Sequence, residues 1–244
     1  MPADAAPSFV LAAALGEPGE SLTFDAEESH YLARVCRARP GDHVTATDGR
    51  GTVASLRLTD VGAVVSAEVE TRERQVRRSD VWLLCGAPEG ERADWMVEKL
   101  AELGVAVMQP IECERGTWHR SARRIERWRR IAVAALRQSR RPFLLEVRPP
   151  VGLEQALAAL PAGGQRWLAD PDGASAPGTG LDASGLTTGI VGPSGGLSER
   201  ERASIAAAGF QPMRLSDGRL RTETAALAWA AWCSSRTGTA RAES

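Results

Sequence analysis

Two small-residue turns near the C-terminus constrain the fold most. Gly192-Pro193-Ser194-Gly195-Gly196 follows the apolar run Gly189-Ile190-Val191, and Leu220-Arg221-Thr222-Glu223-Thr224-Ala225 opens a segment rich in Ala, Leu and Trp. Each reads as the end of a strand running into the start of a helix. α/β proteins place small-molecule sites at such corners, because backbone N–H groups and small side chains let a ligand approach closely. The function of this chain is expected there.

From Asp80 onward the pattern alternates between strands and helices. Val81-Trp82-Leu83-Leu84, Val105 to Ile111, Arg166-Trp167-Leu168-Ala169, Gly189-Ile190-Val191 and Phe210 to Leu215 read as strands. Helices are expected over Ala93 to Leu103, stopped by Gly104, and over Arg120 to Ser139. A third starts at Ser198, with Glu201 completing a capping box, and ends at Gly209; Thr222 caps the last. Such alternation implies a parallel sheet covered on both faces. Pro171 to Gly185 reads as a low-complexity loop.

Residues before about 75 read differently. Val44 to Thr47 and Thr52 to Leu56 flank Asp48-Gly49-Arg50-Gly51, a hairpin signal. Val65, Ala67 and Val69 alternate with polar residues, and Asp25 with Glu28 predicts a capped helix. A small barrel-like β domain over 1–75 and an α/β domain over 76–244 are expected, joined by a linker holding Arg72, Arg74, Arg77 and Arg78.

Several classes are disfavoured. Cys36, Cys85, Cys113 and Cys233 are far apart and the chain has three histidines, so no metal site is expected and the thiols read as buried and reduced. No basic residue precedes the apolar Phe9-Val10-Leu11-Ala12, and Ala225 to Cys233 is too short to span a bilayer, which points to a cytoplasmic protein without membrane contact. No Lys-Ser/Thr follows the Gly192 turn as a nucleotide-triphosphate loop requires, and no Gly-x-Gly-x-x-Gly dinucleotide fingerprint is present. A nucleotide-dependent oxidoreductase on a doubly wound sheet is the weaker alternative for that reason.

Charge is uneven despite a net value of −1. Ten arginines and one acid, Glu126, lie between Arg115 and Arg141. At about 100° per residue, Arg123, Arg127, Arg130, Arg137 and Arg141 fall within roughly 80° of one another, opposite Ile125, Trp128, Ala132, Ala135 and Leu136. A stripe without acids repels itself unless a polyanion neutralises it, so Arg123, Arg127, Arg130 and Arg137 are candidates for phosphate-backbone contacts; a solvated face is the alternative.

Five segments carry a family resemblance: His30-Tyr31-Leu32 through Arg37, Gly41-Asp42 and Asp48-Gly49; Glu98 to Val105 with Pro110 and Glu114-Arg115; Trp128, Ile131, Ala134, Gln138 and Arg141; Gly192-Pro193, Gly195-Gly196, Leu197, Ser198 and Glu201; and Leu215 with Leu220 to Ala225. Over nearly its whole length the chain resembles the RsmE family, the 16S ribosomal RNA uracil-N3 methyltransferases of the SPOUT superfamily. It departs from that pattern at Ser194, Arg137, Arg140 and Ser216-Asp217.

The resemblance implies an N-terminal PUA-like barrel, a trefoil-knotted α/β domain, S-adenosyl-L-methionine as cofactor, and a homodimer with a shared active site acting on 16S rRNA or the small ribosomal subunit. The cofactor residues expected are Leu168, Gly192, Pro193, Gly195, Gly196, Leu215, Ser216, Leu220, Arg221, Thr222, Thr224 and Ala225. An arginine beside a uracil oxygen would stabilise the anion left when N3 loses its proton. Arg221 is the first candidate, with Arg141 or Arg115 supplied by a partner subunit. Glu223 could accept the proton or orient Arg221. Surplus apolar surface on the last helix, from Leu227, Trp229, Ala230, Trp232 and Cys233, suits a two-fold interface. The rival within the same resemblance is an RNA-binding protein with no activity or another target.

Overall fold

The structure is a computed structural model that describes residues 8–77, 79–118, 121–177 and 185–236. Arg78, Arg120 and residues 178–184 of the expected Pro171–Gly185 loop lie outside them. Two compact units result: the chain up to Arg77 together with Leu136–Leu144, and the remainder.

The first unit contains β1 (Phe9–Leu11), β2 (Ser21–Thr23), α1 (Ala26–His30), β3 (His43–Thr47), β4 (Thr52–Val61) and β5 (Val65–Arg74). Its five-stranded sheet has the order β1-β3-β4-β5-β2; β1 runs parallel to β3 and the other pairs are antiparallel. Alternation drives its packing. Ala54, Leu56 and Leu58 of β4 and Val65, Ala67 and Val69 of β5 meet Val10, Phe24, Leu32 and Val44 in one apolar core. At the β3–β4 turn Gly49 and Gly51 adopt φ of 70° and 105°, and Asp48 accepts hydrogen bonds from the Arg50 and Thr52 amides at 2.7 and 2.9 Å.

Residues far away in sequence complete this turn. The Pro142 carbonyl accepts from the Gly51 amide and the Thr47 hydroxyl, both at 2.9 Å, and the Leu144 amide donates to Gly49 at 2.8 Å. A boundary drawn near residue 75 misses this second crossing, because no local pattern reports a long-range partner.

Asp25 caps α1 by accepting from the Glu28 amide at 2.8 Å, but only half of the expected box forms. The Glu28 carboxylate turns inward to Arg137 instead.

The second unit contains β6 (Asp80–Cys85), α2 (Ala93–Glu102), β7 (Val107–Glu112), α3 (Ala122–Ser139), β8 (Glu146–Val147), β9 (Val151–Gly152), α4 (Leu153–Ala158), β10 (Gln165–Ser175), β11 (Leu186–Val191), α5 (Glu199–Ala207), β12 (Gln211–Arg214) and α6 (Thr222–Arg236), although the last turn of α3 belongs to the first unit. Its sheet has the order β12-β10-β11-β6-β7-β8, β9 also pairs with β7, and every pair is parallel. This is the covered parallel sheet that the alternating pattern predicts. On one face Leu84, Ile111, Leu168 and Ile190 pack with Leu153 of α4, Ile205 of α5 and Phe210. On the other, α6 lies against α2, β6 and β11. Gly189 is glycine for a packing reason: a Cβ there would run into the Trp229 ring.

Helix ends follow their signals. Gly104 and Gly209 take φ of 81° and 84° after α2 and α5. The Ser198–Glu201 capping box forms in both directions, at 3.2 and 2.8 Å.

Three expectations need correction. Thr222 is the first residue of α6 and its hydroxyl goes elsewhere, so it is no N-cap. β10 continues through Pro171 to Ser175, because both Ala169 and Ala174 pair with Met213 around a bulge of intervening residues. Trp229, Ala230 and Cys233 are fully buried within the chain, so they offer no surplus apolar surface.

Candidate functional site

The bulge of β10 and the C-terminal ends of β11 and β12 open on a cavity of about 450 Å³. Its walls come from the bulge after Ala169, the turn after Val191, and the segment from Leu215 to Ala225.

The Gly192 turn is clamped from two sides. The Ser194 amide donates to the Ala87 carbonyl at 3.2 Å, and a Cβ at Gly86 would strike Pro193. On the other side Cys113 and Gly116 form a small bridge, a Cβ at Gly116 would strike the Pro193 ring, and one at Gly195 would strike the Arg115 carbonyl. Gly196 sits at φ of 77° and lines the cavity, a conformation glycine adopts without strain. The buried Glu201 ties these parts together. One carboxylate oxygen caps α5 at Ser198 and the other accepts from the Glu114 amide at 2.8 Å.

The second turn is joined to the first directly. The Thr222 hydroxyl donates to the Gly192 carbonyl at 3.1 Å. Next to it Glu223, 1% exposed, accepts from Arg92 Nη1 at 2.9 Å. Glu223 therefore pairs with Arg92 and does not orient Arg221, which has no carboxylate partner among the described residues.

The bulge of β10 brings Asp170 to the wall. Its side chain is 7% exposed, pairs with Arg202 of α5 and accepts from the Asp172 amide at 3.0 Å. Bulges commonly re-aim side chains beside functional sites.

Of the residues singled out from the sequence, Gly192, Pro193, Gly196, Leu215, Ser216, Leu220, Arg221, Thr222, Glu223 and Ala225 line the cavity. Leu168 does not, since its alternation points it into the core below the sheet. Gly195 lies behind the turn against Arg115, and the Thr224 side chain is exposed. Arg115 is exposed and does not line the cavity. Arg141 belongs to the first unit, where burial lowers its pKa.

Glu89, Asp170 and Arg202 line the cavity without having been singled out, and Arg92 supports it through Glu223. Only the position of Asp170 directly after the strand end expected at Ala169 could have flagged it. Burial pushes the Cys113 thiol up to about 12, helped by the Glu201 charge, and burial raises Cys85 too. Neither is a thiolate nucleophile at neutral pH. No group of His, Cys, Asp and Glu among the described residues is arranged to hold a metal ion.

The arginine stripe divides. Arg123, Arg127 and Arg130 are exposed; Arg127 Nε also meets Asp94 at 2.6 Å. Arg137 is not available to RNA. Its side chain is 11% exposed, paired with Glu28 and stacked over the Tyr31 ring at 4.4 Å. The helical wheel places it on the stripe, but the last turn of α3 is enclosed by the first unit.

The comparisons agree with this architecture. The RNA methyltransferase domain family matches residues 75–234, and the RNA methyltransferase PUA domain family matches 24–63. "Ribosomal RNA small subunit methyltransferase E" of Synechocystis is 31% identical over 229 residues, covering 89% of this chain and 76% of the relative. That of Aquifex aeolicus is 31% identical over 183 residues, 73% of this chain and 78% of the relative. The crystal structure of a ribosomal RNA small subunit methyltransferase E from Neisseria gonorrhoeae bound to S-adenosyl methionine is 30% identical. It superposes with a TM-score of 0.85, covering 94% of this chain and 97% of that one.

Proposed function

We propose a specific reaction from one premise: the chain belongs to the ribosomal RNA small subunit methyltransferase E family. It is an S-adenosylmethionine-dependent rRNA methyltransferase. The finer reading is transfer of the methyl group to N3 of a uridine in 16S rRNA, with the cavity between the Gly192 and Leu220 turns as the cofactor site. The observation that carries the assignment is the Thr222–Gly192 hydrogen bond, which fixes both turns around one cavity.

The residues fit the cofactor. A volume of about 450 Å³ lies in the range of small-molecule sites, and Ala169, Gly192, Gly196, Gly218 and Ala225 leave backbone groups accessible. S-adenosylmethionine supplies an electrophilic methyl group on a sulfonium. Gly192, Pro193, Gly196, Leu215, Ser216, Leu220, Thr222 and Ala225 would hold it. Gly195 supports the turn from behind.

Uracil N3 becomes a nucleophile when its proton leaves, and the charge then spreads onto O2 and O4. Arg221, exposed at the cavity wall and without a carboxylate partner among the described residues, is suited to meet that charge. Glu223 holds Arg92 at the start of α2. Arg123, Arg127 and Arg130 would grip RNA phosphates without reading sequence. A homodimer in which Arg115 or Arg141 of one subunit serves the site of the other completes the reading; Trp95, 48% exposed on α2, supports it as an unused apolar anchor. No helix among the described residues is long and apolar enough to cross a membrane.

Nucleoside mass spectrometry of 16S rRNA from a strain lacking this gene tests the reading. One 3-methyluridine should disappear and return with the wild-type gene; unchanged 3-methyluridine would refute it.

A further inference from the structure

At the cavity wall the buried Asp170 pairs with the partly exposed Arg202 of α5. Three carboxylates line the cavity: Glu89, Asp170 and Glu223. Glu223 is 1% exposed and already bonded to Arg92. Glu89 is exposed and has no cationic partner among the described residues. Asp170 is almost fully buried, yet its charge is neutralised by Arg202.

That difference selects a ligand group for each. A cationic group is drawn to an acid that still carries its charge, and at Asp170 it would have to compete with Arg202. A neutral hydroxyl gains most from a fixed, desolvated carboxylate whose net charge is already balanced. Among the described residues each Asp170 oxygen has one protein donor, Arg202 on one and the Asp172 amide on the other, and a carboxylate oxygen can accept more than one. Position agrees. Asp170 lies in the bulge of β10 and Glu89 follows β6, with β11 between the two strands, so the two acids stand about two strand spacings of roughly 4.8 Å apart across the sheet.

We propose that the Asp170 carboxylate, held by Arg202, accepts the ribose hydroxyls of the cofactor, making it the residue that distinguishes a ribonucleoside from its deoxy counterpart. This rests on the cavity being the S-adenosylmethionine site. Arg202 acts as a positioning residue.

Isothermal titration of the full chain with S-adenosylmethionine, adenosine and 2′,3′-dideoxyadenosine tests it. The wild type should prefer adenosine to the dideoxy compound by about ten-fold or more, the loss expected for a hydrogen bond to a charged group. Asp170→Asn should weaken S-adenosylmethionine and adenosine by similar factors and leave the dideoxy compound unchanged. Asp170→Glu keeps the charge but moves the carboxylate, and it should also lose the preference. Equal wild-type affinity for the two nucleosides would overturn the proposal even if neither variant folds. So would a loss in Asp170→Asn confined to S-adenosylmethionine, which would assign the acid to the amino-acid end. A wild type that binds adenosine but not S-adenosylmethionine would instead overturn the cofactor reading beneath it.

Discussion

The Thr222 hydroxyl donates to the Gly192 carbonyl oxygen across 3.1 Å, joining residues thirty positions apart into one rim. This bond sets the spacing between the start of α6 and the turn after β11. Thr222→Val removes the donor at nearly constant volume and leaves the Gly192 carbonyl to find water. S-adenosylmethionine affinity should fall several-fold, while Thr222→Ser, which keeps the hydroxyl, should stay near wild type. Titration calorimetry on both variants checks this, and equal losses in the two would show that the hydroxyl is not the cause.

The two glycines of the first turn should fail for different reasons. Gly196→Val imposes φ of 77° on a branched residue at the cavity wall, so affinity for S-adenosylmethionine should drop at least ten-fold with little change elsewhere. Gly195→Val drives a side chain into the Arg115 carbonyl and should displace the neighbouring turn, lowering thermal stability as well as binding. A Ser194→Ala change should affect neither. Thermal melts with and without cofactor separate the cases.

Arg137 and the rest of its stripe should part company. Arg137→Ala leaves Glu28 buried without its guanidinium, a loss on the order of 3 kcal/mol that the urea midpoint would report. Arg123→Ala and Arg130→Ala should leave stability unchanged, weaken RNA binding and reduce its salt slope by about one charge each. Arg127→Ala should do less, since Asp94 already neutralises part of its charge. RNA affinity that is indifferent to all three would leave the stripe as solvated surface.

The parallel sheet, the glycine-terminated helices and the Ser198 box were legible because each rests on local signals. Hydrophobic alternation, capping residues and positive-φ glycines act within a few positions. The cavity was legible through its two turns. Arg137, Asp170 and Glu223 were not, because their roles depend on what faces them. Glu28 closes over Arg137, a bulge carries Asp170 to the wall, and Arg92 reaches Glu223 from a helix start well over a hundred residues away. A helical wheel gives direction but no neighbour.

Acid stability should depend on Asp48. Burial pushes its pKa up, but hydrogen bonds from Arg50 and Thr52 and the Arg74 charge outweigh this and hold it below the usual carboxylate value. Its contribution is therefore present above the ordinary aspartate pKa and lost as pH falls through the lowered one. Glu28 runs the other way: burial raises its pKa against the pull of Arg137, so its contribution is full in acid and lost as pH rises through the raised value. Asp48→Asn should lower stability at pH 7 and flatten the fall in acid, as followed by urea midpoints from pH 3 to 7. An unchanged acid limb would rule out this assignment.

The most direct test of the account is methyl transfer from isotope-labelled S-adenosylmethionine to unmodified 16S rRNA, free and in small subunits, read by nucleoside mass spectrometry. The wild type should place label in a single 3-methyluridine. Arg221→Ala should bind RNA and cofactor nearly as well but lose at least a hundred-fold in rate, since its charge is needed for the uridine anion and not for either ligand (an oxyanion donor is worth about this much). Label on another base or ring atom, no label at all, or an Arg221→Ala rate equal to wild type would contradict the account.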